Sequence, residues 1–176
     1  MDTVLPGNYV AGFVDGEGCF SLKFRKDIKH NSGNKKIREY FYWGVEFAIV
    51  LRTDDLYILE LIKNTLNCGR INNSTDKDQV RFSVQNSKDL MEKIIPFFKK
   101  YPLRAKKSHD FQLWVRAVEI IDGYRDGHVN IKKGYRGFTK KNIKKEDIKE
   151  LFRLRSAMLE FKSKREKSFR WEATAV

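Results

Sequence analysis

The sequence predicts an α+β domain in which four antiparallel strands form one sheet with helices packed on one face. Two long runs in the first third of the chain alternate apolar and polar residues, as strands with one buried face do. Two shorter alternating runs follow, and a helical pattern separates the two pairs. This order occurs once in 176 residues, so we expect one domain over residues 1–161 and a basic tail over 162–176.

The first half of the chain is predicted to form a helix, two long strands and a second helix. The first helix is expected over residues 9–16, with Asn8 as its cap. Strands are expected over residues 19–25 and 37–51, because apolar side chains recur there at every second position. A second amphipathic helix is expected from residue 53 or 54 to about 67.

The second half is predicted to complete the sheet and cover it with helices. Short strands are expected over residues 70–73 and 79–85, with a turn between them. Ser87 is expected to cap a helix that breaks near Pro96, since proline lacks the amide donor that a helix interior needs. Further helices are expected over residues 105–123 and 145–161.

The charge of the chain points to a polyanionic partner. The formal net charge is +13 and the isoelectric point is about 9.7, with lysine and arginine spread along the whole sequence. A long basic surface that binds nucleic acid explains this distribution. The alternative is that the excess lysines only solvate helix faces.

Composition also excludes several classes of protein. The apolar fraction of 41% is that of a globular domain rather than a disordered basic tail. Two cysteines and three scattered histidines show no metal-ligand spacing. We expect no membrane segment and no secretory signal, and hence an intracellular setting, either a bacterial cytoplasm or an organelle. No organic cofactor is expected.

The most informative segment is AGFVDGEGC at residues 11–19, where the first helix is expected to end. Gly12 and Gly16 are four residues apart, so they lie on one helix face and allow a second helix to approach closely. Asp15 and Glu17 fall at the C-terminal end of that helix, where the helix dipole disfavours anions unless a cation compensates. Two such helices would bring two acids together over a divalent metal. Alternatively, the glycines only permit tight packing within one subunit.

Residues 9–18, YVAGFVDGEG, resemble the signature of the LAGLIDADG homing endonucleases. Three later segments resemble further landmarks of that family in the right order, and together the likeness spans about residues 8–160. These segments are FAIVLRTDDL at residues 47–56, IIPFF at 94–98 and YPLRAKKSHDF at 101–111.

The resemblance implies a saddle-shaped sheet and a metal-dependent enzyme that cuts both strands of a long, pseudo-palindromic DNA target. Glu17 matches the metal-binding acid of the motif, and Gly16 matches the position whose carbonyl oxygen can join the coordination. Mg²⁺ is the expected cofactor and Mn²⁺ a possible substitute. Only one motif is present, so a homodimer would supply the second acid. Its interface is expected at Ala11, Gly12, Asp15 and Gly16, although Asp15 also suits a role in binding backbone amides.

The outer face of the sheet and its loops are expected to bind DNA. This face carries basic and amide side chains that can read base edges in the major groove. The candidates on the strands are Lys23, Arg25, Arg38, Tyr40, Tyr42, Arg52, Arg70, Asn72, Gln79 and Arg81. The candidates in and beside the first loop are Lys29, Asn31, Asn34, Lys35 and Lys36.

The family commonly places a basic residue near the scissile phosphate, and Lys106 and Lys107 occupy the matching stretch. Lys106 is slightly preferred, and the alternative is that both lysines merely face solvent before a helix. The chain departs from some relatives that have a glutamine and a basic residue beside the acids, because Leu51 and Asp55 stand there.

Three functions therefore remain open. The first is a homing endonuclease, which the resemblance implies is encoded within an intron. The second is a nucleic-acid binder of the same fold that has lost cleavage. Such a binder would be an RNA maturase that assists splicing or a DNA-binding regulator. A generic basic structural protein is a third possibility and would show no sequence preference.

Overall fold

The computed structural model describes residues 3–30, 37–124 and 143–160. Within these ranges the side chains of residues 26–30, 37–41 and 75 lie outside the description. The elements are α1 (Gly7–Glu17), β1 (Gly18–His30), β2 (Ile37–Arg52), α2 (Leu56–Leu66), β3 (Arg70–Ser74), β4 (Gln79–Val84), α3 (Ser87–Asp89), α4 (Ile95–Lys100), α5 (Lys107–Asp122) and α6 (Lys145–Glu160). Short 3₁₀ turns precede α2 and join β3 to β4, and a π-helical turn joins α3 to α4.

The four strands form one antiparallel sheet in the order β1-β2-β4-β3, which confirms the predicted α+β class. The β1–β2 hairpin aligns Phe20 with Phe47, and the β2–β4 pair aligns Phe47 with Val84. Cross-strand neighbours therefore place their apolar side chains on the same face. Helices α1, α2 and α5 pack against the sheet and bury this face.

An aromatic cluster forms the centre of the core. Phe20 is fully buried, and its ring lies 5.2 Å from that of Phe47 and 5.0 Å from that of Trp114. Phe98 and Phe111 close the cluster, with ring centroids 5.9 Å and 5.2 Å from that of Phe20. These contacts join the sheet to α4 and α5, so both helices are fixed in position against β1.

Helix α1 begins earlier than predicted. It starts at Gly7, and Pro6 takes the cap position with its carbonyl oxygen accepting the amide of Val10 at 3.2 Å. Asn8 therefore lies inside the first turn, and the prediction that it caps the helix was wrong. Proline fits this position because its fixed φ is compatible with the start of a helix and because no backbone amide donor is required there.

The helical segment after β4 also differs from the prediction. Asn86, not Ser87, is the cap: its side chain accepts the amide of Lys88 at 3.0 Å. The helical segment does not end at Pro96 but continues to Lys100. A π-helical turn over Leu90–Ile94 precedes Pro96, which falls in the first turn of α4 where its missing donor is tolerated.

None of the helices in the described ranges is long and apolar enough to cross a bilayer.

Candidate functional site

The two carboxylates of the motif lie at the junction of α1 and β1. Gly18 allows this junction to form without a loop, because a Cβ there would lie 2.5 Å from the Val14 side chain. The Gly18 amide donates back to the Val14 carbonyl and closes the helix. Glu17 is the last helical residue and its side chain is exposed, whereas Asp15 is half-buried. The junction thus presents one carboxylate to solvent.

Asp15 binds its own chain. Its two carboxylate oxygens accept the backbone amides of Arg104 at 2.8 Å and Ala105 at 3.2 Å. This contact confirms the interpretation that Asp15 binds backbone amides, and it ties the loop before α5 to the end of α1. The tie spans about ninety positions of sequence, so no local pattern could have identified its partners.

Lys107 supplies the cation that the end of α1 requires. Its Nζ donates to the carbonyl oxygens of Asp15 at 2.7 Å and Gly16 at 2.5 Å. A positive charge at this end of a helix offsets the dipole and satisfies carbonyls that lack helical partners. Lys106, the slightly preferred of the two lysines, is exposed and precedes α5. The structure thus distinguishes the two lysines by position, because Lys107 binds the end of α1, the helix that carries the motif, whereas Lys106 faces solvent.

One chain contributes few metal ligands at this junction. Within the described ranges, no group of three or more His, Cys, Asp or Glu side chains could hold a metal ion. The candidate donors are the exposed carboxylate of Glu17 and the carbonyl oxygen of Gly16, which has a second lone pair besides the one that accepts from Lys107. This sparse set fits Mg²⁺, which retains waters and commonly binds one or two carboxylates together with substrate phosphates.

The motif helix has an open face beside Glu17. Gly12 and Gly16 are exposed, and a Cβ added at either would have nothing within 4 Å in this chain. Tyr9 lies on the same helix, 50% exposed, and its ring stacks on that of Phe13. Ala11 differs from the expectation that it joins this face, because it is 5% exposed and packs in the core.

The outer face of the sheet carries most of the predicted DNA-binding side chains that the structure describes. Lys23, Arg25, Arg52, Arg70, Asn72 and Gln79 are exposed, while Tyr42 and Arg81 are half-buried. The strand register aligns Arg81 with Asn72 on β3 and Gln79 with Arg52 on β2. The guanidinium of Arg25 lies 5.2 Å from the centroid of the Tyr42 ring, a cation–π contact. The face is therefore basic across all four strands.

Arg52 is paired with acids at one end of this face. It lies 3.4 Å from Asp54 and 3.6 Å from Asp78, and all three side chains are more than half exposed. Leu51 is half-buried against the core, and Asp55 is exposed at the start of α2.

Among the described residues, Glu46 is the one acid buried in this face, and it was not predicted as a site residue. Its side chain is 3% exposed and accepts hydrogen bonds from Lys23, from Arg81 at 2.8 Å and from Gln85 at 2.7 Å. Burial raises the pKa of Glu46, but the bonds from Lys23, Gln85 and Arg81 outweigh burial and leave the pKa below its ordinary value. Gln85 is exposed and was not among the predicted DNA-binding residues.

Several candidates cannot be placed. Asn31, Asn34, Lys35 and Lys36 lie outside the described residues, as does the basic tail over 162–176. For Lys29, Arg38 and Tyr40 only the backbone is described, with Lys29 opposite Arg38 in the β1–β2 hairpin.

Residues 10–118 match the family model described as LAGLIDADG endonuclease. The chain belongs to the LAGLIDADG endonuclease family. The matched range includes most of α1, the whole sheet and most of α5.

Both curated proteins and solved structures are similar to the chain. The Schizosaccharomyces pombe protein named "Probable intron-encoded endonuclease Cox1-I1b" is 32% identical over 114 residues, which are 65% of this chain and 27% of that protein. The crystal structure of the homing endonuclease I-TnaI has a TM-score of 0.64 and 26% identity, with 88% of both chains covered. The meganuclease I-SmaMI bound to uncleavable DNA has a TM-score of 0.61 and 25% identity, with 87% of this chain and 44% of that chain covered.

The chain spans about a fifth to a third of the length of the curated relatives it matches.

Replacing Asp15 tests the tie between α1 and the loop before α5. Asp15→Ala leaves the amides of Arg104 and Ala105 without their charged acceptor, so the free energy of unfolding should fall by about 1–2 kcal/mol. Urea denaturation measures this loss. Asp54→Ala, which removes an exposed carboxylate, is the matched control and should cost much less. Equal losses in the two variants would contradict the tie.

The lowered pKa of Glu46 predicts a pH-dependent contribution to stability. A carboxyl with a lowered pKa in the folded state stabilises the fold above its ordinary value of 4.5, and this contribution is lost as the pH falls through the lowered pKa. The difference in unfolding free energy between wild type and Glu46→Gln should therefore be about 1–3 kcal/mol at neutral pH and shrink below pH 4.5. Urea denaturation across this pH range measures it, with the exposed Glu60→Gln as the charge-matched control. A difference that stays constant down to low pH would show that the Glu46 charge contributes nothing.

Proposed function

We propose that this LAGLIDADG protein is a homing endonuclease that makes a metal-dependent double-strand cut in a long, pseudo-palindromic DNA site. The observation that carries the proposal is the exposed carboxylate of Glu17, which lies where an open helix face meets a basic sheet. A carboxylate repels the phosphates of DNA. A carboxylate beside a DNA-binding face is therefore favourable only when it binds a cation that offsets this repulsion. The names of the curated relatives, which describe intron-encoded endonucleases, support an intron as the source of the gene. The proposed setting is intracellular, either a bacterial cytoplasm or an organelle.

The sheet is the proposed DNA-binding surface. Its outer face is basic on all four strands, and the whole chain carries a net charge of +13. Arginine, lysine, glutamine and asparagine are the side chains that pair with base edges in the major groove. The similarity to I-SmaMI, whose structure contains DNA, supports the same role here.

Glu17 and the carbonyl of Gly16 would hold the divalent cation, with Mg²⁺ favoured and Mn²⁺ a possible substitute. When bound, such a cation stabilises negative charge on the phosphate and promotes attack by water. Lys107 already donates to the Gly16 carbonyl, which places a positive charge within reach of any phosphate at this junction. Lys106, exposed on the neighbouring residue, is the second lysine that could contact the phosphate.

A second copy of the chain would supply the second acid. The exposed glycines of α1 leave room for another helix, and a twofold contact between two such helices would bring two Glu17 side chains together. I-SmaMI is matched over only 44% of its length, so that chain has room for a second unit of this size. I-TnaI is matched over 88% of its length and is thus comparable to one copy.

The alternative, a nucleic-acid binder without cleavage, is favoured by one observation. The positions that carry a glutamine and a basic residue beside the acids in some relatives hold Leu51 and Asp55 here, and the nearby Arg52 is paired with Asp54 and Asp78. Such a protein would be an RNA maturase or a DNA-binding regulator.

Glu17→Gln separates the enzyme from the binder. The enzyme should retain DNA binding and lose cleavage by about a hundredfold or more, because the amide cannot hold the cation. Cleavage of a duplex library with Mg²⁺, alongside a gel-shift assay, measures both properties. Glu60→Gln, an exposed acid on α2, should cleave like wild type. Wild-type protein that binds a specific sequence but never cuts it would favour the binder.

Gly12→Leu tests the helix contact. A Cβ at Gly12 would have nothing within 4 Å in this chain, and leucine is the better helix former by about 0.8 kcal/mol, so the monomer should fold at least as stably. The same side chain would block a second helix, so sedimentation velocity should show monomer where wild type is dimeric, and cleavage should be lost. Asn64→Leu on the exposed side of α2 is the matched control and should remain dimeric. A Gly12→Leu protein that still dimerises and cuts would contradict the proposed interface.

A further inference from the structure

The central acid of the basic sheet face makes an ordered polar network. One carboxylate oxygen of Glu46, Oε2, accepts from both Lys23 and Arg81, and the other, Oε1, accepts from Gln85. The acid is 3% exposed, while the Lys23 and Arg81 side chains are 58% and 39% exposed and Gln85 is exposed. The carboxylate is thus covered by its partners, and only the partners are accessible to a ligand.

The network fixes the orientation of the Gln85 amide. An ionised carboxylate only accepts hydrogen bonds, so the atom of Gln85 that faces it is the donor Nε2, 2.7 Å from Oε1. The carbonyl oxygen Oε1 of Gln85 therefore points away from the acid. Without Glu46 the two ends of the amide would be free to exchange. Gln85 is in this way prepared to accept a hydrogen bond from a group above the sheet.

The same acid restrains and partly neutralises two cations. Lys23 and Arg81 together carry two positive charges, and the charge of Glu46 reduces their sum to one. Each cation uses one donor on Glu46 and keeps its other donors for a ligand. A restrained, partly neutralised pair attracts phosphate less and loses less freedom when it contacts a base edge.

We propose that Glu46 is a positioning residue for base recognition, which fixes Lys23, Arg81 and Gln85 so that they read base edges rather than phosphates. This inference rests on the proposed binding of DNA by the sheet. Arg81 and Lys23 would donate to the acceptors of guanine, and the outward oxygen of Gln85 would accept from the amino group of adenine or cytosine. Glu46 itself touches no base and acts only through its three partners.

In vitro selection from a randomised duplex pool tests this role, because the target need not be known. The parent protein carries Glu17→Gln so that it binds without cutting. Glu46→Gln is added to the parent in one variant. In the control, Glu150→Gln is added instead, which removes the same charge from an exposed pair with Arg153 on α6.

Glu46→Gln should flatten the base preference at the positions that the three side chains read, on the order of tenfold at each. Its binding to random duplex should tighten at low salt, and the slope of log affinity against log salt should steepen by about one, since a released cation can contact phosphate. The Glu150→Gln control should select the same sequence as the parent. A merely structural role would lower affinity for every sequence without changing either the preference or the slope.

A second variant keeps the test decisive if Glu46→Gln unfolds. Gln85→Met in the parent removes the outward acceptor without leaving a buried charge unpaired, and it should lose the preference at one base pair while keeping the others. The inference is overturned if Glu46→Gln, or Gln85→Met in its place, selects the parent sequence with undiminished preference. A parent that enriches no sequence at all would overturn the proposed function itself, and the inference with it.

Discussion

The candidate site depends on the contact that ends the motif helix. A helix that carries two acids at its C-terminus is unfavourable by itself, because its free carbonyls and dipole already place negative charge there. Asp15 offsets this by accepting two backbone amides, and Lys107 donates to the carbonyls of Asp15 and Gly16. Glu17 is left at the tip, exposed and next to the start of β1. The start of α5 thus stabilises the C-terminal end of α1. It also places a cation, Lys107, at the proposed point of cleavage.

On the sheet, too, an acid is paired with cations. A uniformly basic face would bind any polyanion, because phosphate contacts carry no sequence information. Burying Glu46 beneath Lys23, Arg81 and Gln85 reduces the net charge at the centre of the face and fixes the directions of three side chains. Affinity for DNA and discrimination among sequences would then be governed by different residues of one sheet. LAGLIDADG proteins that read other targets would be expected to vary these side chains on an unchanged backbone.

Local patterns in the sequence predicted the elements but not the contacts between them. Alternation of apolar residues located all four strands, and the apolar spacing located α2 and α5, since both signals arise from burial of one face. The predictions at Asn8, Ser87 and Pro96 were wrong because a cap or a break depends on one hydrogen bond that neighbouring residues can also make. The partners of Asp15 and Glu46 are distant from them in sequence, so no local spacing of residues predicts these contacts. The family motif identified Glu17, whereas only the fold shows Lys107 on the helix end and Gln85 beside Glu46.

The central claim is that two copies of the chain join through α1 and hold cations between paired Glu17 side chains and the DNA backbone. A crystal structure of the protein with a selected DNA duplex and Ca²⁺ tests it most directly. We expect a twofold pair of α1 helices in contact at Gly12, with each Glu17 carboxylate bound to a calcium ion that also binds a phosphate oxygen. A single copy on the DNA, or two copies whose Glu17 side chains are distant from every phosphate, would contradict it.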